Sequence, residues 1–209
     1  MIITIFGATG TVGKQLVKQA LHMGHTVKAY GRNVFTGKLP DNENLELISG
    51  ALFDEKPVLN AVKGSDAVLS VLGGAFDGTD KTRSLGIKNI VAQMEKAGVK
   101  RIVAVGGLGV LEGADGKMLM DDKDYPSEFV PVGQEHRKAY EILKASGLEW
   151  TFVCPPDLID AEVTGIYHTA ANVPPMDNKY KINTGDLALF MLNELKKNAF
   201  VKQRVGISN

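Results

Sequence analysis

Residues 1–23, MIITIFGATGTVGKQLVKQALHM, decide how this chain folds. The stretch opens with the apolar run Ile2–Phe6, breaks at glycines 7, 10 and 13, and continues as an amphipathic pattern over Val12–Met23. A buried strand, a tight turn and a helix explain that order, because glycine tolerates the backbone conformations that a tight turn requires. The pattern predicts a strand–turn–helix unit at the start of an α/β fold.

The three glycines have separate predicted roles. Gly7 permits the tight turn, Gly10 lets the backbone approach a pyrophosphate, and Gly13 lets the helix pack closely on the strand. The helix N-terminus presents unpaired N–H groups and the positive end of its dipole to phosphate oxygens. We therefore predict a dinucleotide-binding turn with hydroxyl donors from the two threonines, formed by Gly7, Thr9, Gly10, Thr11, Val12 and Gly13.

The end of the second apolar run indicates which dinucleotide binds. NAD sites usually carry Asp or Glu here, about 20 residues after the glycines, to hold the ribose 2′-OH. This run ends Val27-Lys28-Ala29-Tyr30-Gly31-Arg32-Asn33, with no carboxylate, and Lys38 is close enough in sequence to assist Arg32 in binding a 2′-phosphate. Because the guanidinium of Arg32 suits a 2′-phosphate, the sequence predicts NADP(H) in preference to NAD(H).

Apolar runs and amphipathic segments alternate along the rest of the chain. Later strands are predicted at 26–30, 45–48, 67–72, 101–105, 150–154 and 204–207, and helices at 55–62, 80–97, 134–145 and 186–195. Continuous apolar runs are typical of strands buried on both faces of a parallel sheet. The alternation predicts an α/β fold, a Rossmann-like doubly wound parallel sheet flanked by helices, in a single domain 1–209.

Several residues that commonly begin or end helices refine this prediction. Gly98 and Gly147 are placed to close two helices in the left-handed conformation, and Asp186 is a candidate N-cap.

Residues 113–131 and 156–178 exceed the usual connection length, and each follows the carboxyl end of a strand, the ligand side of such a sheet. We interpret them as flaps forming a small loop-rich cap; plain disordered insertions are the alternative.

Composition excludes several classes of protein. Lys+Arg and Asp+Glu are both 24, so no basic excess points to nucleic acid or an anionic membrane as a partner. The single cysteine, Cys154, lies in an apolar run and is expected to be buried, which suits a reducing cytoplasm. No signal peptide, membrane-length apolar stretch or metal-ligand spacing is visible.

Motifs spread over nearly the whole chain resemble those of one superfamily. They include Phe6–Gly13, Gly31-Arg32-Asn33, Gly64–Val68, Ala145–Trp150 and Thr184–Leu187. The chain resembles the atypical short-chain dehydrogenase/reductases of the NAD(P)H-binding, NmrA-like type, in particular the flavin reductase / biliverdin reductase B group and bacterial NADH-flavin reductases.

The resemblance implies further cofactor contacts. Ala51 and Leu52 would line the adenine, although the family usually has Asp at position 51. Leu72, Gly73 and Gly74 would flank the ribose. The nicotinamide would lie near Gly106, Gly107 and Pro155.

Departures from the family pattern bear on catalysis. Relatives use a Ser after the fifth strand and a Tyr-x-x-x-Lys pair, but here the Tyr position holds Val132, the Lys position holds His136, and Val105–Gly109 has no hydroxyl. His136 is the candidate catalytic residue, to anchor the nicotinamide ribose or orient the acceptor; an ordinary helix-face histidine is the alternative. Candidate acceptor contacts are Phe76, Leu108, Pro156, Asp157 and Tyr167, with Asp157 alternatively capping a turn.

Three functions remain open. Without the Tyr that protonates an alkoxide, ketone reduction is disfavoured, and an NADPH-dependent reductase of a flavin or similar flat acceptor fits best. A non-catalytic NADP(H)-binding sensor of NmrA type is the alternative, and a sugar-nucleotide epimerase is weaker. We expect a small-molecule acceptor as partner and a monomer or weak homodimer.

Overall fold

In the computed structural model, which describes residues 1–209, strands and helices alternate along the chain. The strands are β1 Ile2–Phe6, β2 Thr26–Gly31, β3 Leu45–Ser49, β4 Ala67–Ser70, β5 Arg101–Val105, β6 Glu149–Cys154, β7 Asp157–Ile159, β8 His168–Ala171, β9 Lys181–Asn183 and β10 Gln203–Ser208. The helices are α1 Thr11–His22, α2 Glu55–Val62, α3 Thr82–Ala97, α4 Val130–Ala145 and α5 Thr184–Lys197.

Eight strands form one sheet in the order β3-β2-β1-β4-β5-β6-β10-β8. All neighbours pair in parallel except β10 and β8, which are antiparallel. The order reverses direction between β1 and β4, the point at which open α/β sheets bind ligands beyond the carboxyl ends of their strands. The predicted doubly wound sheet is confirmed, with one antiparallel edge strand that the sequence did not indicate.

The core lies on both faces of this sheet. Ile3 and Ile5 of β1 face one apolar cluster, which α1 and α5 complete. Phe6 of β1 and Val68 of β4 face the second, which includes side chains of α2, α3 and α4. Strands buried on both faces explain the continuous apolar runs of the sequence.

Helices α3 and α4 begin elsewhere than predicted. α4 begins at Val130 rather than residue 134, because Pro131 fits the first turn of a helix, where no backbone N–H is needed. The predicted flap 113–131 therefore ends inside a helix. α3 begins at Thr82 rather than residue 80, because the Asp80 carboxylate accepts the Thr82 N–H at 2.7 Å and ends the preceding loop.

At two helix boundaries the predicted capping residue was wrong. α5 begins at Thr184 with Asn183 in the N-cap position, so Asp186 lies within the first turn and is not the N-cap. α4 ends at Ser146 in an extended conformation, so Gly147 does not close it. Gly98 does close α3 in the left-handed conformation, with φ +73°.

The two long segments contain more structure than predicted. Residues 113–131 include short 3-10 turns at Leu119–Asp121 and Ser127–Phe129. Residues 156–178 include β7, which pairs with β9, and β8, which joins the main sheet. The sequence did not indicate these two strands within the predicted flap. These strands form by pairing with strands farther along the chain, and such pairing leaves no pattern in the local sequence.

Cys154 lies in the core at the end of β6, as expected. Burial raises the pKa of its thiol to about 12, so the thiolate that reacts or binds metals is disfavoured. Among the helices, none has the length and apolar character required to cross a membrane.

Candidate nucleotide and acceptor site

Gly7 and Gly13 shape the turn between β1 and α1. Gly7 has φ +83°, and a Cβ there would lie 2.5 Å from the carbonyl oxygen of Val71, just beyond β4. A Cβ on Gly13 would lie 2.1 Å from the carbonyl oxygen of Gly7. Both positions therefore require glycine. Gly13 lets the helix pack closely on the turn itself. The sequence had instead predicted close packing of the helix on the strand.

Gly10 differs because the space beside it is open. The nearest atom to a Cβ on Gly10 is the Gly7 oxygen at 3.4 Å. Gly10 is the N-cap of α1, no side chain caps this helix, and its first turn carries no acidic residue. Unpaired N–H groups beside an open space fit a phosphate. Exposed Thr11 follows directly, and Val12 is buried beneath the turn.

The loop after β2 packs on this turn. A Cβ on Gly37 would lie 2.4 Å from the Thr9 methyl carbon, so Thr9 contacts the loop with its methyl group. Arg32 and Lys38 are exposed at the two ends of this loop, and Lys38 has φ +55°. The structure therefore brings both predicted 2′-phosphate cations to the side of the turn.

The predicted adenine and ribose residues follow β3 and β4. Ala51 accepts a hydrogen bond from the Tyr30 hydroxyl at 2.8 Å through its backbone carbonyl. Burial, and then the nearby Asp54 charge, raise the pKa of Tyr30 to about 12, so the hydroxyl stays a donor. Leu52 and Leu72 converge on Gly86 of α3, where a Cβ would come within 2.4 Å and 2.7 Å of their methyl carbons.

Gly106 and Gly107 form a floor beyond β5. A Cβ on Gly106 would lie 2.4 Å from the Phe152 ring, and one on Gly107 would lie 2.8 Å from Cδ2 of His136. The buried Pro155 accepts the N–H of Leu108 at 3.0 Å through its carbonyl, which ties the chain after β5 to the end of β6.

His136 is neutral in this environment. Burial, and then the positive charge of Arg83, lower its pKa to about 3, against the opposing effect of Glu135. Val132, at the position of the family's Tyr, is buried. The floor therefore has one titratable neighbour from α4, and that neighbour holds no ionisable proton at neutral pH.

The predicted acceptor residues are dispersed. Phe76 is exposed in the loop before α3, and half-buried Leu108 and Pro156 lie close to the floor. Asp157 is exposed as the first residue of β7, so it belongs to a strand and caps no turn. Tyr167 is half-buried and packs edge-on against Phe190 of α5 with 6.0 Å between ring centroids, at the margin of the core.

Arg83 is a residue of the site that was not predicted from the sequence. It lies in the first turn of α3 and donates to the carbonyls of Gly74 and Ala75 at 2.9 Å and 3.0 Å. These bonds fix the loop that carries Gly73 and Gly74. A lone arginine near a helix start has no distinctive spacing, so no signal in the sequence pointed to it.

A phosphate-fitting turn at the switch point of a doubly wound sheet defines a Rossmann-type nucleotide-binding protein of the atypical short-chain dehydrogenase/reductase class. A family model described as NAD(P)H-binding matches residues 7–198, and the chain belongs to that family.

One curated relative and two solved structures are similar to nearly the whole chain. The Bacillus subtilis protein YwnB is 28% identical over 204 residues, covering 94% of this chain and 92% of its own. A Streptococcus pneumoniae structure described as "a putative NADH-flavin reductase" is 28% identical, with TM-score 0.85 over 100% of this chain and 99% of that one. A Burkholderia pseudomallei structure described as "Putative exported protein" is 33% identical, with TM-score 0.86 and full coverage of both chains.

Proposed function

We propose that this protein is an NADPH-dependent reductase that transfers hydride to a flavin or a similarly flat, conjugated acceptor. The observation that carries the proposal is the floor at Gly107, which lies against the neutral imidazole of His136, while buried Val132 occupies the position of the family's Tyr. The description of the Streptococcus pneumoniae relative, which names NADH and flavin, supports the same class of acceptor.

The glycine turn and the loop after β2 support the nucleotide part of the proposal. The open space beside Gly10 fits the pyrophosphate, and the uncapped N-terminus of α1 neutralises part of its charge. Exposed Arg32 and Lys38 carry the two positive charges available for a 2′-phosphate on this side of the turn. Selection of NADPH over NADH rests on these cations.

The neutral His136 supports the acceptor part. Reduction of a ketone creates an alkoxide, and a positioned acid typically contributes 10²–10⁴ in rate by protonating it. A flat conjugated ring spreads the added charge over several atoms and needs no such acid. His136 can orient a ribose or acceptor by hydrogen bonding, while the glycine floor leaves room for a wide ring. NADPH supplies the hydride, so the balanced reaction is NADPH + H⁺ + oxidised flavin → NADP⁺ + reduced flavin, with the proton from water.

A direct assay tests the proposal. Purified protein is mixed with NADPH and FMN, riboflavin or a quinone, and loss of the nicotinamide absorbance is followed against a protein-free control. Turnover above that background supports the reductase. Tight NADPH binding with no turnover on any of these acceptors would instead support an NADP(H)-binding sensor, the second candidate that the acid-free floor favours.

We further propose that the protein acts in the cytoplasm as a monomer or weak homodimer, on a small-molecule acceptor and without nucleic acid or membrane. The balanced charge and the single buried cysteine support this. Sedimentation velocity across a concentration series tests the oligomeric state. Cell fractionation tests the location.

A further inference from the structure

Phe76 is an exposed aromatic residue at the ligand edge of the sheet. It is 62% exposed, in the loop between β4 and α3. That loop starts beside the glycine turn, since Val71 abuts Gly7, and it reaches α4, where a Cβ on Gly78 would lie 2.9 Å from Pro131. The ring therefore projects from the chain that spans the space between the glycine turn and the helix of His136.

Arg83 holds this loop in place by hydrogen bonds to its backbone. Its two terminal nitrogens donate to the carbonyls of Gly74 and Ala75, and its guanidinium carbon lies 5.6 Å from the centroid of the Phe76 ring. Arg83 is only 7% exposed, which is rare for arginine. A buried cation thus fixes the backbone on either side of the Gly74–Ala75 peptide and supports the exposed ring.

Asp80 holds the same residues from another direction. Its Oδ2 accepts the N–H of Ala75 at 3.3 Å, and a Cβ on Gly74 would lie 2.5 Å from that oxygen. Because both the N–H and the carbonyl of Ala75 are bonded to side chains near the start of α3, Phe76 follows a rigid peptide. The backbone that carries its ring is therefore held by the protein's own side chains.

Arg83 also links the loop to the floor. Its charge acts on His136, whose ring lies against Gly107, and its Nε is buried without a hydrogen-bond partner. The exposed ring, the buried cation and the floor therefore belong to one cluster at the carboxyl edges of β4 and β5.

Resting on the proposed function, we propose that Arg83 is a positioning and specificity-determining residue. By fixing the backbone before Phe76, it holds that ring as a face on which a multi-ring planar acceptor stacks. Aromatic rings stack in offset or edge-on pairs, and the contact grows with ring area. The arrangement selects fused-ring acceptors such as an isoalloxazine over single-ring acceptors.

The test compares the wild-type protein with Phe76→Leu, Arg83→Met and the double variant. Riboflavin is the fused-ring acceptor, because it is neutral and its binding does not depend on attraction of a phosphate to Arg83; 1,4-benzoquinone is the single-ring acceptor. We expect each single variant to raise the riboflavin KM about tenfold, in line with the range for aromatic pairs, with a smaller change in kcat. The benzoquinone KM changes less, and in Phe76→Leu, which leaves the Arg83 bonds to Gly74 and Ala75 in place, the NADPH Kd stays near the wild-type value.

The double variant distinguishes positioning from an independent contact. If Arg83 acts through Phe76, Arg83→Met has little further effect once Phe76 is leucine. Lys88→Met, which removes an exposed cation from the same helix, is the matched control and leaves the riboflavin KM unchanged. Because Arg83 is buried, Arg83→Lys is included as a milder variant, and an intermediate riboflavin KM is expected from it.

Two outcomes overturn the inference and are separable. Wild-type protein that turns over no acceptor removes the proposed function and this inference together. Wild-type turnover with an unchanged riboflavin KM in Phe76→Leu, or with multiplicative KM effects in the double variant, overturns the role of Arg83 alone.

Discussion

The imidazole of His136 rests directly on the backbone of Gly107, so that a Cβ at position 107 would lie 2.8 Å from Cδ2 and 3.0 Å from Nε2 of the ring. The two residues come from α4 and from the end of β5, and their contact forms the floor of the candidate acceptor site. The contact leaves no room for any side chain on Gly107 unless the imidazole moves.

Gly107→Ala should therefore displace His136 and disturb the floor. We expect a loss of kcat/KM of at least tenfold, together with a loss of stability of about 1–3 kcal/mol, the usual range for overpacking. Steady-state kinetics and urea unfolding measure the two effects. Gly147→Ala is the matched control, because its Cβ would meet only Glu95 Oε1 at 4.0 Å. Kinetics of Gly107→Ala equal to those of the control would contradict the contact.

The neutral state of His136 predicts a pH dependence of stability. Burial, and then Arg83, lower the pKa of His136 from 6.5 to about 3 in the folded protein. The unfolded chain therefore binds more protons between these values, and the free energy of unfolding falls as the pH falls through this window. His136→Asn should lose less stability between pH 7.5 and 4.5 than the wild type, as measured by urea unfolding.

The matched control for this titration is the exposed His22, whose replacement by Asn should leave the wild-type pH dependence in place. An equal loss of stability in wild type and His136→Asn would show that the imidazole is not held neutral by folding.

Asp186 fastens the start of the segment before β8. Its carboxylate accepts the N–H groups of Thr164 and Gly165 at 2.7 Å and 2.8 Å and the side-chain amide of Asn209 at 2.9 Å. Burial alone would raise the pKa of Asp186, but these bonds outweigh it and the pKa is lowered. Its contribution to stability is thus present above the unfolded value of about 3.9 and is lost as the pH falls further.

Asp186→Asn places an NH₂ group and one oxygen where two carboxylate oxygens accept several bonds. We expect a loss of about 1–3 kcal/mol and faster hydrogen exchange at the Thr164 and Gly165 amides. Exposed Asp160, replaced by Asn, controls for the loss of charge. Protection of both amides at the wild-type level would refute this anchoring role.

Arg32 should decide the choice of dinucleotide. We expect NADPH to bind at least ten times more tightly than NADH, and Arg32→Ala to remove most of that difference by weakening NADPH alone. Titration calorimetry with both nucleotides measures it. Lys56→Ala removes another exposed cation and should preserve the ratio. Equal affinities for the two nucleotides in the wild type would end this account of specificity.

The sequence predicted the parts of the fold that local chemistry determines. The buried strands and the turn at Gly7 could be found because apolar runs and glycine spacing are local patterns. β7, β8 and β9 were missed because β7 and β9 form by pairing with each other and β8 forms by pairing with β10, across long separations in the chain.

Some features of the site could likewise be predicted from the sequence, and others could not. The contact between Gly107 and His136 was only partly foreseeable, through alignment with a family motif. The bonds from Arg83 to the Gly74–Ala75 backbone depend on how α3 meets the loop before it, and no residue spacing encodes that. The packing of Tyr167 against Phe190 was not foreseen, because exposed and core-packed aromatic residues look alike in a sequence; its contact with the acceptor stays a prediction.

The most direct test of the account is NADPH binding to Gly10→Val, measured by calorimetry beside the wild type. Gly10 has φ −73° and ψ 173°, which valine adopts readily, and a Cβ there would meet only the Gly7 oxygen at 3.4 Å. We expect a wild-type melting temperature and a loss of NADPH affinity of at least about 100-fold, because the added methyl groups occupy the space assigned to the pyrophosphate. Wild-type NADPH affinity in folded Gly10→Val would contradict the central claim that the turn at residues 7–13 holds the dinucleotide.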